Sequence, residues 1–290
     1  MARIHVTSLA PENIVDEVVD TFIAALRRLG HDVSSQPWVV REDSLNILMF
    51  ALGLDPAELR TETIVVNFEP LAPGTQAHRD EYLQLLRNNY VWEYSRTNLR
   101  LYPQLGLAEG FHVPLGFDED GDITVGLDDR LPEGQRDIDV LFFGGPNERR
   151  DAVISQMRDM GLNVVTNENV LWPRAERDEK IRRAKVVLNM NRFEGVRIAE
   201  MPRISMLLRR RKAVVCELYP DTEIEPEIRS AVAGAPLERL AETARMLVQS
   251  PQLRADLEER GLDALRRFPQ ADFIKAGLER YEAWRRAKSA

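Results

Sequence analysis

One pattern constrains the fold more than any other. Short apolar runs rich in β-branched residues alternate with longer stretches whose apolar residues recur at helical spacing. That rhythm marks parallel sheets joined by crossover helices, an α/β architecture. Ile4–Thr7 reads as the first strand. Pro11–Leu29 reads as a helix, with Ile14, Val18, Phe22, Ala25, Leu26 and Leu29 on one face and a stop at Gly30. Ile64–Phe68 and Tyr90–Tyr94 read as further strands, Thr97–Leu105 holds a short helical piece, and Phe111–Leu115 leads out of this half.

The rhythm then restarts. Asp139–Phe143 is a strand, Gly144-Gly145 a turn, and Asn147–Met160 a helix closed by Gly161. Val164–Thr166, Lys185–Met190 and Ala213–Glu217 read as strands, with helices at Glu176–Ala184 and Glu200–Arg211 between them. Pro202 falls in the first turn of the latter, where proline is tolerated. From about Leu237 to Ala287 the pattern is helical, broken near Ser250-Pro251 and Phe268-Pro269.

A chain of 290 residues has room for two domains. The expected division is 1–116, a linker at 117–136, and 137–290 with a helical tail. The linker expectation rests on Phe117-Asp118-Glu119-Asp120-Gly121-Asp122 and Pro132-Glu133-Gly134, acidic and rich in turn formers. The net charge of −8 argues against a sequence-independent grip on nucleic acid. The single cysteine, Cys216, rules out an internal disulfide and argues against a cysteine-based zinc site; no metal is expected. No run approaches the roughly 18 apolar residues of a spanning helix. Arg3-Ile4-His5-Val6 enters a strand without a basic segment leading into an apolar one, so a cytoplasmic protein is expected.

The first strand ends Thr7-Ser8-Leu9-Ala10-Pro11, without the glycine fingerprint of a dinucleotide dehydrogenase, and no P-loop motif occurs. The strongest local feature is Asp137–Arg150: a buried-type strand, then Gly144-Gly145, then a helix start at Asn147-Glu148-Arg149-Arg150. Glycines admit a phosphate close to the backbone, a helix N-terminus favours an anion, and Arg149 or Arg150 could add a bidentate contact. The same residues also make an ordinary strand-to-helix turn with solvated arginines. A second feature is Val187–Gly195 with Glu200-Met201-Pro202-Arg203 and Val214–Glu217, polar groups at strand carboxyl ends, where open α/β sheets bind ligands. Glu200 could accept from sugar hydroxyls and Arg203 could face a phosphate; alternatively the two simply favour a helix start and an ion pair. In the first half, Glu69, His78 and Glu93 are the candidate bases, each of a type that takes a proton when its pKa is tuned.

The second half resembles the C-terminal domain of group 1 glycosyltransferases, in their spore-maturation-protein-like and capsule-biosynthesis-like branches. The resemblance is carried by Asp139–Arg150, Val187–Asn191, Glu200–Leu208 and Val214–Glu217, with support from Val91–Ser95 and Leu240–Arg260. It implies a GT-B fold, with two Rossmann-like domains facing a cleft and C-terminal helices. A nucleoside-diphosphate sugar would be held mainly by the second half as substrate, with no cofactor and no bound metal. On that resemblance Gly144, Gly145, Asn147 and Arg149 line the diphosphate or acceptor side of the cleft, Asn191, Glu200 and Arg203 contact the donor, and Glu217 is a further candidate. The sequence departs from the family pattern at Asn191, where histidine is usual, and in the six-residue spacing of Glu194 and Glu200.

The resulting expectation is a glycosyltransferase moving a sugar from a nucleotide-sugar donor to a hydroxyl acceptor: a glycan, a small molecule or a modified nucleobase. If it inverts, one of Glu69, His78 or Glu93 is its base; retention stays open. The rival from another class is a non-catalytic two-domain protein that closes on a small ligand or glycan.

Overall fold

The structure is a computed structural model that describes residues 2–10, 15–55, 57, 59, 61–108, 110–121, 130–168 and 170–289. The chain divides into two compact units, Met1–Asp122 with Pro269–Ala290, and Ile123–Phe268.

The first unit is built on β1 (Arg3–Ser8), β2 (Asp32–Ser35), β3 (Leu45–Met49), β4 (Thr63–Asn67), β5 (Tyr90–Glu93) and β6 (Phe111–His112). All pair in parallel, in the order β2-β1-β3-β4-β5-β6. Helices α1 (Asp16–Arg28), α2 (Asp80–Asn88) and α3 (Arg96–Leu105) make the crossovers. Both faces of this sheet are covered, so β4 is buried along its length, Thr63 to Asn67. Side-chain alternation divides the core: Val65 and Val91 pack with Leu83, Leu86 and Tyr102 of α2 and α3. Trp92 lies near Phe22 of α1, with ring centroids 6.4 Å apart.

The second unit repeats the plan with β7 (Ile138–Phe142), α4 (Glu148–Asp159), β8 (Val164–Thr166), α5 (Arg174–Arg183), β9 (Ala184–Asn189), α6 (Met201–Arg209), β10 (Val214–Glu217), α7 (Pro226–Ser230) and β11 (Ala233–Ala235). Its parallel sheet runs β11-β10-β9-β7-β8. Counted from the first strand of each unit, the second sheet has the doubly wound order 2-1-3-4-5, and the first has the same order with a sixth strand added at its end. Helix α4 and α8 (Leu240–Val248) close one face around Val140, Phe142, Val186, Leu188 and Val215. Helices α5 and α6 pack on the strands as well, and α9 (Pro251–Leu265) packs on α6.

Two boundaries differ from the sequence expectation. The tail does not all belong to the second domain: α10 (Gln270–Ser289) packs on α1 and belongs to the first unit. Gln270 donates its amide to the Phe117 carbonyl at 2.8 Å, and its Oε1 accepts from Gly116 N at 2.6 Å. Tyr281 lies 5.3 Å from Tyr90, ring to ring. Gly277 sits against the fully buried Trp92, where an added Cβ would fall 2.8 Å from Cε2. Gly277→Ala should therefore lower the urea midpoint of the whole chain, by an overpacking penalty of about 1–3 kcal/mol.

The second difference is the linker. Each of its described ends is anchored by a buried charged residue, while Glu119, Asp120 and residues 132–135 stay exposed. Asp118 is buried and takes a bidentate pair from Arg28 at 2.9 Å and 2.9 Å. In the second unit Arg136 donates to Glu258 of α9 at 2.6 Å, both side chains buried. An acidic composition signals solvent only until a fixed cation meets it. The middle of the linker, 122–129, and the expected helix start at 11–14 lie outside the described residues.

Candidate functional site

Open doubly wound sheets bind ligands at the carboxyl ends of their strands, where the strand order reverses. In the second unit that switch point lies between β7 and β9. The turn after β7 is Phe143-Gly144-Gly145-Pro146, and Asn147 begins α4; its Oδ1 accepts from Arg150 N at 2.9 Å. The turn after β9 carries Asn191 and Arg192, and Asn147 Nδ2 ties the two turns by donating to the Arg192 carbonyl at 2.8 Å. Asn147 thus caps and ties, and is not turned to a donor.

Four arginines gather here. Arg150 is 3% exposed, and its Nη1 and Nη2 donate to the carbonyls of Gly145 at 2.7 Å and Met190 at 2.6 Å. Among the described residues no carboxylate pairs with it, and its buried Nε has no hydrogen-bond partner. Burial pushes its pKa down to about 10; Arg203, Arg192 and Arg149 push the same way, and Glu200 opposes them. Arg203 donates to Asn189 Oδ1 at 3.1 Å, pairs with Glu200 at 2.9 Å, and lies over the Phe143 ring. Arg192 is exposed, with its Nη1 against the Gly145 backbone: a Cβ there would come within 2.6 Å. At Gly144 an added Cβ would meet Phe142 at 3.2 Å and Arg203 Nη2 at 3.3 Å. The two glycines therefore admit guanidinium groups to the turn.

Arg149 is placed differently from the expectation. Both its Nη atoms are taken by the buried Glu217, one at 2.8 Å, and Nη1 also donates to the Asn191 carbonyl at 3.0 Å. Glu217 holds Arg149 well ionised, raising its pKa against the opposing effect of burial, which is the largest single influence. Glu217 also accepts from Asn191 N at 3.0 Å, so it is occupied on both oxygens. Asn191 Nδ2 donates to the Val196 carbonyl at 3.2 Å. Arg149, Glu217 and Asn191 thus brace the turns after β7, β9 and β10. The side chains left on the anion-binding side are Arg150, Arg192 and Arg203, with Glu200 as the accompanying carboxylate.

A net positive cluster of this kind, at the carboxyl ends of parallel strands, suits an anion. The first-turn amides of a helix have no acceptor inside the helix, and its dipole adds to the pull. Arg192, which sequence reasoning passed over, is the clearest free cation of the group; its loop position carries no periodic signal.

In the first unit the expected bases sit at the carboxyl edge of β4 and β5. Glu93 is fully buried and accepts from Asn67 Nδ2 at 2.7 Å, Asn98 Nδ2 at 3.0 Å, Ser95 N at 3.1 Å and Tyr102 OH at 3.0 Å. A carboxylate with every oxygen engaged inside the core has no face for an acceptor, so Glu93 is removed from the candidate bases. Glu69 and His78 are partly exposed on the loop after β4. His78 Nδ1 lies 3.0 Å from the Leu71 carbonyl. A carbonyl only accepts, so Nδ1 carries the hydrogen, and in the neutral ring the lone pair is on Nε2.

No protein-family model matches the chain. No curated protein matches it in sequence. Solved structures do match across nearly its whole length. The Anabaena protein HepE in complex with UDP and glucose aligns with a TM-score of 0.63 at 12% identity, over 97% of this chain and 100% of that one. T4 phage BGT in complex with its UDP-glucose substrate aligns at 0.55 and 11%, over 97% and 99%. AviGT4, a glycosyltransferase involved in avilamycin A biosynthesis, aligns at 0.57 and 14%, over 97% of each chain. The fold is GT-B, as the sequence led us to expect: two parallel α/β sheets with crossover and C-terminal helices.

Proposed function

We propose that this chain is a glycosyltransferase that takes a nucleoside-diphosphate sugar, with uridine as its base, and transfers the sugar to a hydroxyl acceptor. The observation that carries this reading is Arg150: buried, without a carboxylate, at the β7/β9 switch point beside Arg192 and Arg203. Uncompensated positive charge held in that place suits a diphosphate. The choice of UDP is supported by neighbours of the same fold that were solved with UDP or UDP-glucose. Within the fold, the group 1 assignment rests on the resemblance carried by Asp139–Arg150, Val187–Asn191, Glu200–Leu208 and Val214–Glu217, with Val91–Ser95 and Leu240–Arg260 in support. Among the described residues no helix is long and apolar enough to cross a membrane. Action in the cytoplasm is consistent with one free, buried thiol, Cys216.

In this mechanism the chain's own residues do two things. Arg150, Arg192, Arg203 and the α4 N-terminus stabilise the negative charge that builds on the diphosphate as the sugar–oxygen bond breaks. If the transfer inverts, the base is His78 of the first unit, whose Nδ1 is held by the Leu71 carbonyl, with Glu69 as the alternative; retention stays open. Binding sites that preset these groups supply the rest of the rate by orientation.

The test is a thermal-shift screen of the full chain against UDP, GDP, dTDP, ADP and CMP. UDP should raise the melting temperature selectively, because a ligand of the folded state stabilises it by about 2.7 kcal/mol at a hundred times its dissociation constant. No shift with any nucleotide would remove the proposal. A UDP shift without turnover of UDP-sugars, across a panel of acceptors, would favour the non-catalytic binding protein.

A further inference from the structure

The loop after β4 is held from beneath by a polar network buried in the first unit. Asn67, the last residue of β4, grips Glu69 twice: its Oδ1 accepts from Glu69 N at 2.9 Å and its Nδ2 donates to the Glu69 carbonyl at 3.0 Å. Asn98, in the first turn of α3, donates to the same carbonyl at 2.8 Å and accepts from Leu71 N at 3.0 Å. Both amides are oriented by one group, because Asn67 Nδ2 and Asn98 Nδ2 also donate to Glu93. Tyr82 of α2 donates to Asn67 Oδ1 at 2.8 Å, completing the set. The Leu71 carbonyl then receives His78 Nδ1. A second stitch, from Thr75 Oγ1 to the carbonyls of Pro70 and Ala72, keeps the intervening turn closed.

We infer that Glu93 is a positioning residue: through Asn67 and Asn98 it fixes the backbone of Glu69–Leu71, and through the Leu71 carbonyl it sets the ring orientation and tautomer of His78. The centre of this network meets four neighbours: the ionised carboxylate accepts from all of them, and the protonated acid still accepts from Asn67, Asn98 and Ser95 N. Asn67 and Asn98 carry an amide whose flip would reverse the contacts; the Glu93 oxygens forbid that flip, since an amide oxygen would face a carboxylate oxygen. The same residue that could not act as a base thus governs the one that can. The catalytic meaning of this inference rests on the proposed role of His78, while its structural content does not.

Burial pushes the Glu93 carboxyl up to about 8, against hydrogen bonds from Asn67, Asn98, Ser95 N and Tyr102 that pull it down. The titratable groups facing it are Tyr102 from α3, Tyr82 from α2 and Glu69 from the loop, and burial raises both tyrosines far above the working range. At neutral pH the Glu93 proton has the Tyr102 hydroxyl oxygen to donate to; above that range all four neighbours donate to a carboxylate.

The test reads the His78 ring nitrogens by NMR in the full chain, which holds four histidines. His78→Gln assigns the signals. In the wild type a single Nδ1–H tautomer should dominate once His78 is neutral, with a second inflection near pH 8 as Glu93 titrates. In Glu93→Gln the second inflection should vanish and the Nε2–H tautomer should appear. Amide exchange at Glu69 and Leu71 should rise roughly tenfold or more, as loss of a hydrogen bond to a charged group predicts. If Glu93→Gln does not fold, Asn98→Ala removes the acceptor of Leu71 N and repeats the tautomer and amide comparison, with the Glu93 inflection retained. A wild type with mixed tautomers and no second inflection would overturn the inference, as would a folded variant with unchanged ring and amide signals. The UDP thermal shift separates the two readings. A chain with the predicted His78 behaviour and no nucleotide binding keeps this network and loses the transferase.

Discussion

Arg192→Ala should weaken UDP binding by about ten- to a hundredfold and leave the melting temperature almost unmoved. The affinity loss is that of one charge-assisted hydrogen bond to a phosphate, about 1.5–3 kcal/mol, where 1.4 kcal/mol is about tenfold. The fold should not notice, because Arg192 is exposed and has no carboxylate partner among the described residues. Surface substitutions of that kind change stability by about 0.5 kcal/mol or less. Arg203→Ala should weaken binding to a similar degree and also lower stability modestly, since it strands Glu200 and removes a donor from Asn189. Titration calorimetry of both variants, repeated at raised salt, checks the point. Wild-type affinity should fall with ionic strength, and less steeply in Arg192→Ala, because one screened charge has gone. Wild-type affinity in Arg192→Ala would place the diphosphate elsewhere.

These two arginines show which parts of the molecule were legible beforehand. The alternation of apolar runs gave away both parallel sheets, because a sheet covered on both faces must be built from continuous apolar strands. It hid β2, whose Asp32–Ser35 is a half-exposed polar edge, and β11, whose Ala-Gly-Ala carries no β-branched residue. β3 was missed in a run, Leu45–Leu54, that is apolar enough to serve as either strand or helix. α2 was missed because it is only nine residues long and Arg79 makes no side-chain cap, which left Asp80, Glu81 and Arg87 as its only end signals. The placement of Gly144-Gly145 and the start of α4 at a strand's carboxyl end was readable too. Which arginine does what was not. Arg149 and Arg150 are adjacent on a helix and point about 100° apart. One turns to Glu217 and the other into the turn. That choice is made by β10, which lies far along the sequence. Glu93 failed as a base for a related reason: sequence places it at a strand end, but only the packing of α2 and α3 shows that the end is roofed over.

Glu217→Leu should lower the unfolding free energy by about 3–5 kcal/mol, the usual penalty for breaking a buried ion pair from one side. The carboxylate is 1% exposed and its partner Arg149 is 17% exposed, so water can rescue little of the stranded guanidinium. Arg149→Met should be comparably harmful, because it leaves the Glu217 carboxylate buried with Asn191 N as its remaining partner. The double variant Arg149→Met, Glu217→Leu should be more stable than either single one, since two matched apolar side chains remove the desolvation of both charges. Recovery should stop short of wild type: Asn191 N loses its acceptor, and an unsatisfied buried amide costs about 1–3 kcal/mol. Glu217→Gln, which still offers Asn191 an oxygen, should fall between. Urea unfolding of the set decides it through the sign of the coupling. Strictly additive losses would mean that the pair does not act as a unit. If Arg149→Met instead kept its stability and lost UDP binding, Arg149 would be a phosphate ligand after all, and Glu217 only its resting partner.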